Sequence, residues 1–394
     1  MPWTLKMTLI VAGLLTVFML YTGSRLFWSI KMTFLQNPAV YKGILIIAGI
    51  CFIVYPAAGL VQYFTTGSFT PDDYPKILIY LFWYGFIFSA VMVSWTIFLD
   101  ILSAALKYGF KINPPQLDTL LGWIMIGVTT LMFAYTGMKT VLHSTQIKVK
   151  EISYPVAKYL DGDFKPLKIV HISDLHADRF TTPVKTKRYI EKINSLQPDL
   201  VLFTGDLITA GDDHIEEGAD ALGNIKSTYG TYAVMGDHDY WQGEQVITDA
   251  LTARGVNVLR NQTGQFTHKK KQIGLTGITE LYSKKLIPSE LQELFETENH
   301  SDFKIAFSHQ ATTRIIELAG EHNFQLVLGG HTHGGQIRIP VFFYPLTPVL
   351  LETEYVKGKK WFEELLLNVN SGLGYTLAPL RYGAPTQISL IRVE

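Results

Sequence analysis

Hydrophobic and polar positions follow two different patterns along the 394 residues of this chain. In residues 1–140, four long stretches contain no charged residue, and each is close to or above the roughly 20 residues that a bilayer-spanning helix needs. The pattern predicts four transmembrane helices; the alternatives are buried helices of a large soluble protein and, for the first stretch, a cleaved signal peptide. The stretches are Met7–Ser24, Gly43–Pro71, Ile77–Leu99 and Thr119–Met138.

Beyond a predicted linker at residues 141–166, the pattern changes to short apolar runs that alternate with amphipathic helical segments. Runs such as "LKIVHIS", "DLVLFTG" and "FQLVLGG" are typical of buried strands, and "PVKTKRYIEKINSLQ" is typical of a surface helix. Residues 167–394 are therefore predicted to form an α/β or α+β domain with strands inside and helices outside.

Composition narrows the function classes. The net charge is zero, which argues against a nucleic-acid partner, and the composition carries no signal for the oligomeric state. Cys51 is the only cysteine, so a disulfide framework and a multi-thiolate metal site are both excluded. Any bound metal must therefore rely on His, Asp, Glu or Asn.

The basic residues give two opposing indications of membrane orientation. Residues 1–140 hold only eight of the 34 Lys and Arg residues, so few positions decide the balance. The positive-inside rule applied to the first and third loops predicts a multi-pass cell-membrane protein with both termini and the catalytic domain outside the cytoplasm. Those loops hold Arg25, Lys31, Lys42, Lys107 and Lys111, whereas Lys6, Lys139, Lys148 and Lys150 favour the alternative, a catalytic domain on the cytoplasmic face.

Five polar motifs begin where apolar runs stop. The carboxyl ends of strands form the ligand-binding edge of an open sheet, so we expect the five motifs to converge there. They are "HISDLH" at 171–176, "TGDL" at 204–207, "GDHD" at 236–239, "SHQ" at 308–310 and "GHTHG" at 330–334.

Together the motifs offer three carboxylates and four imidazoles. Mixed nitrogen and oxygen donors suit Mn, Fe or Zn better than Ca or Mg, and seven ligands are too many for one tetrahedral ion. Two ions about 3.5–4 Å apart would share them, an arrangement that suits phosphoryl hydrolysis. In "DLH" and "HTH" the donors lie two residues apart, so an extended segment presents both on one face. The donors are Asp174, His176, Asp206, Asp237, His309, His331 and His333.

These motifs, with "GHTHGGQIRIP" and "NSGLGYTLAPLRYGAP", resemble the calcineurin-like metallophosphoesterases over residues 167–394. The similarity is greatest to the membrane-anchored branch, the transmembrane metallophosphoesterases. The resemblance implies a two-sheet sandwich flanked by helices and two divalent metal ions as cofactors. Manganese is the first expectation, with zinc, iron or nickel as alternatives.

The resemblance also implies a role for each site residue. One ion would be held by Asp174, His176 and His333, the other by Asp237, His309 and His331, and Asp206 would bridge them. His238 would contact the scissile phosphate, and Asp239 would orient the His238 ring. A metal-bridging hydroxide would then attack the phosphorus.

Asp237 departs from the family motif, which has asparagine at this position. Two divalent ions against three carboxylates leave about one positive charge, where the family arrangement leaves about two. The ions are therefore expected to be weaker Lewis acids, while Asp237 still binds metal.

We therefore expect a membrane-anchored metallophosphoesterase that hydrolyses a phosphodiester or pyrophosphate, with the bilayer and a phosphoester substrate as its partners. A lipid-linked substrate, such as a nucleotide-linked acylated sugar, is favoured. The alternatives are a phosphatase of soluble nucleotides or phosphoproteins and a non-catalytic membrane receptor module. The apolar segment 341–355, which includes Phe342 and Phe343, is predicted either as a lip in the bilayer or as a packed hairpin. His171 is predicted to be a core residue.

Overall fold

The computed structural model describes residues 1–34, 37–112, 116–156, 164–281, 284–298, 300–342 and 344–394. The chain divides into two compact units. We call the first the helical unit; it comprises Met1–Ser144, Ile337–Thr347 and Leu377–Gly383. We call the second the sandwich unit; it comprises Thr145–Gln336, Pro348–Thr376 and Ala384–Glu394.

Four helices form the body of the helical unit, and all four are long and apolar enough to cross a membrane. The helices are α1 (Trp3–Thr33), α2 (Pro38–Thr66), α3 (Lys76–Ala104) and α4 (Leu117–Thr145). Helices α1, α3 and α4 extend beyond their predicted spans at both ends, because flanking residues continue them after the uncharged stretches end. Helix α2 begins before its predicted span but ends at Thr66, five residues before Pro71, because Gly67 adopts a left-handed conformation that ends the helix. Large apolar side chains such as Leu20, Ile47, Phe64 and Leu131 are exposed on the surface of the four helices, as expected of helices that contact lipid.

The described residues also form fourteen strands, five further α-helices and four short helical turns of other types. The strands are β1 (Lys148–Tyr154), β2 (Leu167–Ile172), β3 (Leu200–Phe203), β4 (Thr231–Ala233), β5 (Asn257–Val258), β6 (Gln262–His268), β7 (Lys271–Ile278), β8 (Phe303–Ser308), β9 (Leu326–Gly329), β10 (Ile339–Val341), β11 (Tyr344–Leu346), β12 (Gly358–Phe362), β13 (Leu365–Val369) and β14 (Gln387–Val393). The helices are α5 (Pro183–Ser195), α6 (Ile215–Gly223), α7 (Asp237–Thr252), α8 (Pro288–Thr297) and α9 (Thr313–Glu321).

The sandwich unit contains two six-stranded sheets, in the orders β1-β14-β2-β3-β4-β5 and β12-β13-β9-β8-β7-β6. Apolar side chains from the two sheets, for example Leu202 and Ile305, share one buried cluster, so the sheets pack face to face. Separate buried clusters place α5, α6 and α7 on the outer face of the first sheet and α8 and α9 on the outer face of the second. The predicted two-sheet sandwich flanked by helices is confirmed.

Part of the predicted linker is an ordered strand. β1 lies within residues 141–166 and pairs in parallel with β14, from Lys148↔Gln387 to Tyr154↔Val393. Ile152 and Tyr154 of this strand are buried. The strand forms because a partner from the far end of the chain supplies its hydrogen bonds, which no local pattern reveals.

Two segments beyond residue 167 belong to the helical unit. The β10–β11 hairpin packs against α3, and the backbone N–H of Arg381 donates to Ser144 Oγ at 2.9 Å. The Gly383 N–H donates to His143 Nδ1 at 2.8 Å. The chain therefore leaves the sandwich unit at Gln336, forms a hairpin in the unit of the apolar helices, and returns at Pro348.

Candidate dinuclear metal centre

All five predicted motifs follow the carboxyl ends of neighbouring strands. Three lie after β2, β3 and β4, which are parallel to one another in the first sheet. The other two lie after β8 and β9, which are parallel to one another in the second sheet. Since the two sheets pack face to face, these ends meet at one edge of the sandwich, as the sequence predicts.

The first group of donors consists of Asp174, His176 and His333, all buried, with ligand atoms within 4.8 Å of one another. His333 Nε2 lies 3.1 Å from His176 Nε2 and 3.3 Å from Asp174 Oδ1. This is the set that the resemblance assigns to one ion. Ring nitrogens that face each other so closely suit a shared cation.

The second group consists of Asp237, His309 and His331, again with ligand atoms within 4.8 Å of one another. His331 Nδ1 lies 3.1 Å from Asp237 Oδ2 and 3.2 Å from His309 Nε2. Burial lowers the pKa of His331, but its hydrogen bonds to Asp237 and Glu352 outweigh burial and raise the pKa to about 9. This is the set that the resemblance assigns to the other ion.

Asp206 lies between the two groups. One of its carboxylate oxygens, Oδ2, is 3.3 Å from His176 Nε2 in the first group and 3.2 Å from His309 Nε2 in the second. Burial opposes ionisation of Asp206, but the charges of His309 and His238 and the hydrogen bond from His176 hold its pKa well below the usual range. A single anionic oxygen within reach of both groups is the geometry that a bridging ligand requires.

Five of the seven predicted ligands adopt a left-handed backbone conformation, which corrects one step of the sequence argument. The two-residue spacing in "DLH" and "HTH" predicts an extended segment, but neither segment is extended. A non-glycine residue in this region costs free energy and is concentrated at functional sites. The φ angles are 51° at Asp174, 45° at His176, 60° at Asp206, 67° at His331 and 49° at His333.

Glycine is required where these loops approach one another. A Cβ atom on Gly330 would lie 1.7 Å from Ser173 Oγ and 2.6 Å from Asp174 Oδ2. A Cβ atom on Gly236 would lie 2.1 Å from Asp206 Oδ1. A side chain at Gly330 or Gly236 would therefore overlap the neighbouring loop, so only glycine allows this close approach of the backbone.

His238 lies beside the first group, and its ring is oriented by a different residue from the one expected. Its Nδ1 donates to the Thr209 carbonyl at 2.5 Å. The Asp239 carboxylate instead accepts the backbone N–H groups of Asp206 (2.9 Å), Leu207 (2.8 Å) and Gly236 (3.0 Å). Asp239 therefore fixes the loop that carries Asp206, because a buried carboxylate needs several donors.

Burial shifts the pKa values of both His238 and Asp239. Burial lowers the pKa of His238, which favours the neutral ring. Burial, together with the nearby Asp206 charge, raises the pKa of Asp239 to about 6. The two residues therefore do not form a simple ion pair.

Two further hydrogen bonds hold the donors in place. Gln310 Nε2 donates to Asp237 Oδ2 at 2.7 Å, and His309 Nδ1 donates to the Thr204 carbonyl at 2.7 Å, which leaves His309 Nε2 for a metal. Both lie in the quoted motifs, but neither contact follows from spacing. His171 is buried, and burial lowers its pKa to about 3, as a neutral core residue requires.

The donor set fits a pair of divalent ions. Two triads of carboxylate and imidazole donors share one anionic oxygen, and they offer the nitrogen–oxygen mixture that first-row transition ions accept. Among the described residues, the buried Nδ1 atom of His176 has no hydrogen-bond partner, whereas its Nε2 atom lies 3.1 Å from His333 Nε2 and 3.3 Å from Asp206 Oδ2. The predicted cofactor class is compatible with this geometry.

Comparison with known proteins identifies a matching family and several relatives. The profile of the family described as calcineurin-like phosphoesterase matches residues 167–335. The uncharacterized metallophosphoesterase YkuE of Bacillus subtilis is 30% identical over 236 residues, which are 59% of this chain and 80% of that protein. Phosphodiesterase YaeI of Escherichia coli is 27% identical over 232 residues, 58% of this chain and 82% of that protein. A transmembrane protein with metallophosphoesterase domain from Danio rerio is 27% identical over 254 residues, 62% of this chain and 56% of that protein.

Proposed function

This chain belongs to the calcineurin-like phosphoesterase family and is a membrane protein that hydrolyses phosphoester bonds, and from that premise we propose that it cleaves a phosphodiester or pyrophosphate of a lipid-linked substrate. The observation that carries the proposal is the β10–β11 hairpin, which follows the "GHTHG" motif in the sequence. This hairpin belongs to the same compact unit as the four apolar helices.

In the proposed reaction, the two donor triads would each hold one divalent ion, and Asp206 lies within reach of a histidine of each triad. Such ions, when bound, polarise the phosphoryl oxygens and make water a usable nucleophile near neutral pH. The protein keeps the donors in place through Asp239, which holds the Asp206 loop by three backbone hydrogen bonds. Gln310 holds the Asp237 carboxylate.

His238 is proposed to carry a proton to the leaving oxygen. Its Nδ1 is engaged by the Thr209 carbonyl, so Nε2 is the atom left to face the substrate. The negative charge of a bound phosphate favours the protonated ring, which offsets the effect of burial. Positioned proton donors of this kind contribute about 100- to 10,000-fold to rate.

The hairpin supports a lipid-linked substrate. Three of its apolar side chains are exposed, Phe342 at 57%, Tyr344 at 60% and Leu346 at 46%, whereas Phe343 lies outside the described residues. Phe342 also adopts a φ of 53°, a conformation that usually selects glycine or asparagine in a hairpin turn. A bulky aromatic residue in this position is best explained by a use for its side chain, and the bilayer surface is the environment that suits it.

We further propose that the catalytic domain faces away from the cytoplasm. Four crossings would put residues 1–2 and the sandwich unit on the same side, opposite the first and third loops. The basic residues lie at or near those loops: Arg25 and Lys31 in the last part of α1, Lys42 in the first turns of α2, and Lys107 and Lys111 between α3 and α4. Basic segments next to membrane spans are retained in the cytoplasm.

Two assays test the proposal. Purified protein in detergent should hydrolyse bis-para-nitrophenyl phosphate when Mn²⁺ is added, and Asp206→Asn should lose about 100-fold or more of that activity. His238→Gln should lose turnover but keep metal binding. An Asp206→Asn variant as active as the wild type would contradict the proposed site, and no activity in any variant would favour a receptor module.

The second assay compares a nucleotide-linked acylated sugar in mixed micelles with the same nucleotide sugar lacking its acyl chains. The proposal predicts a higher kcat/KM for the acylated compound. A preference for soluble nucleotides or phosphopeptides would replace the lipid proposal with a soluble-substrate phosphatase.

The hairpin itself can be tested within the same comparison. Replacing Phe342 and Leu346 by serine should reduce hydrolysis of the acylated substrate several-fold more than hydrolysis of the soluble ester. Val184→Ser is a matched control, because Val184 is an exposed apolar residue (73%) on the sandwich unit. Equal losses on both substrates would argue that the hairpin only stabilises the fold.

A further inference from the structure

Glu352 contacts a predicted metal ligand although no motif in the sequence points to it. It follows the short helical turn Pro348–Leu351, and its backbone N–H donates to the Val349 carbonyl at 3.0 Å. Its carboxylate oxygen lies 2.8 Å from Nε2 of His331. The side chains are partly exposed, 28% for Glu352 and 21% for His331, and both line a cavity of about 250 Å³.

The two nitrogens of His331 therefore face different partners. Nδ1 points to Asp237 and His309 in the second donor group, and Nε2 points to Glu352. An ionised carboxylate only accepts hydrogen bonds, so Nε2 carries the hydrogen and donates it. The lone pair of the neutral ring then lies on Nδ1, the atom that faces the group.

The partner of His331 Nε2, Glu352, is charged, whereas the corresponding partners of two other histidine rings of the site are neutral. His309 and His238 direct Nδ1–H to the neutral carbonyls of Thr204 and Thr209. A carboxylate in the same role fixes ring orientation more strongly and raises the basicity of the coordinating nitrogen. Asp237 already adds a negative charge to the second donor group. The negative charge of Glu352 therefore favours cation binding at this group further.

We propose that Glu352 is a positioning residue for the second ion: it holds His331 with Nδ1 towards the ion and strengthens binding at the site of Asp237, His309 and His331. The inference rests on the metal centre of the proposed function. It adds a residue from outside the five motifs, supplied by the segment that returns from the hairpin.

Metal binding by the full-length protein in detergent tests this inference without any substrate. In calorimetric titrations with Mn²⁺, Glu352→Gln should weaken one of the two binding events about 10- to 100-fold and leave the other unchanged. Glu352→Ala should weaken the same event at least as much, because glutamine retains an acceptor for Nε2–H. A general loss of structure would weaken both events, so the selective loss separates positioning from stability.

Glu354→Gln is the matched control. Glu354 lies two residues away, its side chain is 69% exposed, and it pairs with Lys360 at 3.1 Å. Its substitution should change neither event by more than about twofold, since exposed pairs contribute little.

A double substitution tests whether Glu352 acts through His331. In a His331→Ala background, Glu352→Gln should have no further effect on Mn²⁺ affinity, because the partner is gone. The inference would be overturned if Glu352→Gln bound both ions with wild-type affinity. It would also be overturned if Glu352→Gln reduced Mn²⁺ affinity equally in the wild-type and His331→Ala backgrounds. A wild-type protein that binds no ion would instead overturn the metal centre itself.

Discussion

Backbone conformation at single residues is what brings the donors together. Asp174, His176, Asp206, His331 and His333 all have positive φ, and each such residue costs on the order of 1–3 kcal/mol. The residue types and their position after strands were predictable, because side-chain chemistry and strand periodicity can both be read from short stretches of the sequence. The conformations were not, because aspartate and histidine adopt the left-handed region more often than most residues but still only in a small fraction of cases.

Asp237 offers a test of the charge argument at the residue scale. Asp237→Asn restores the family pattern and removes one negative charge, so Mn²⁺ affinity should fall several-fold while turnover at saturating Mn²⁺ rises. Titration calorimetry and hydrolysis of bis-para-nitrophenyl phosphate measure the two quantities. Asp249→Asn, at an exposed position on the same helix, is the control. Loss of metal binding without a gain in turnover would contradict the charge argument.

The histidines predict a pH dependence of metal binding. Without metal, the carboxylates around His331 raise its pKa to about 9 against the effect of burial, so the ring is protonated at pH 7. An ion must displace that proton, and Mn²⁺ affinity should therefore rise with pH from 6 to 8, about tenfold per unit for each proton displaced. Calorimetry in buffers of different ionisation enthalpy counts the protons. An affinity that is constant over this range would show that no proton is displaced.

At the scale of elements, the periodicity of the sequence predicted the strands but not which segments pack against one another. The apolar runs before each motif are strands, and their order after β2, β3, β4, β8 and β9 places the motifs at one edge. The pairing of β1 with β14 and the inclusion of the β10–β11 hairpin in the helical unit depend on contacts between distant parts of the chain. Those contacts decide element boundaries that local pattern leaves open.

The contact between the loops after β2 and β9 depends on Gly330. In Gly330→Ala, the new methyl group would overlap Ser173 and crowd Asp174, so the loops must separate. We expect a loss of about 1–3 kcal/mol in the free energy of unfolding and weaker Mn²⁺ binding, measured by denaturant titration and calorimetry. Gly320→Ala in α9 is the control, since a Cβ atom there meets nothing within 4 Å. If both variants behave alike, the close approach at Gly330 is not required.

At the scale of the whole molecule, four helices are long and apolar enough to anchor the chain in a membrane. The proposed orientation is testable by cysteine labelling in a Cys51→Ser background, which removes the only native thiol. A membrane-impermeant maleimide on intact cells should label Lys270→Cys, at an exposed turn of the sandwich unit. Tyr108→Cys, at an exposed position beyond α3, should react only after permeabilisation. The reverse pattern would place the catalytic domain in the cytoplasm.

The central claim is that two ions share Asp206 at the carboxyl edge of the two sheets. Anomalous diffraction from crystals of the manganese-loaded protein tests it most directly. The account predicts two manganese peaks about 3.5–4 Å apart, one beside Asp174, His176 and His333 and one beside Asp237, His309 and His331. A single peak, or none, in crystals grown with saturating Mn²⁺ would contradict it.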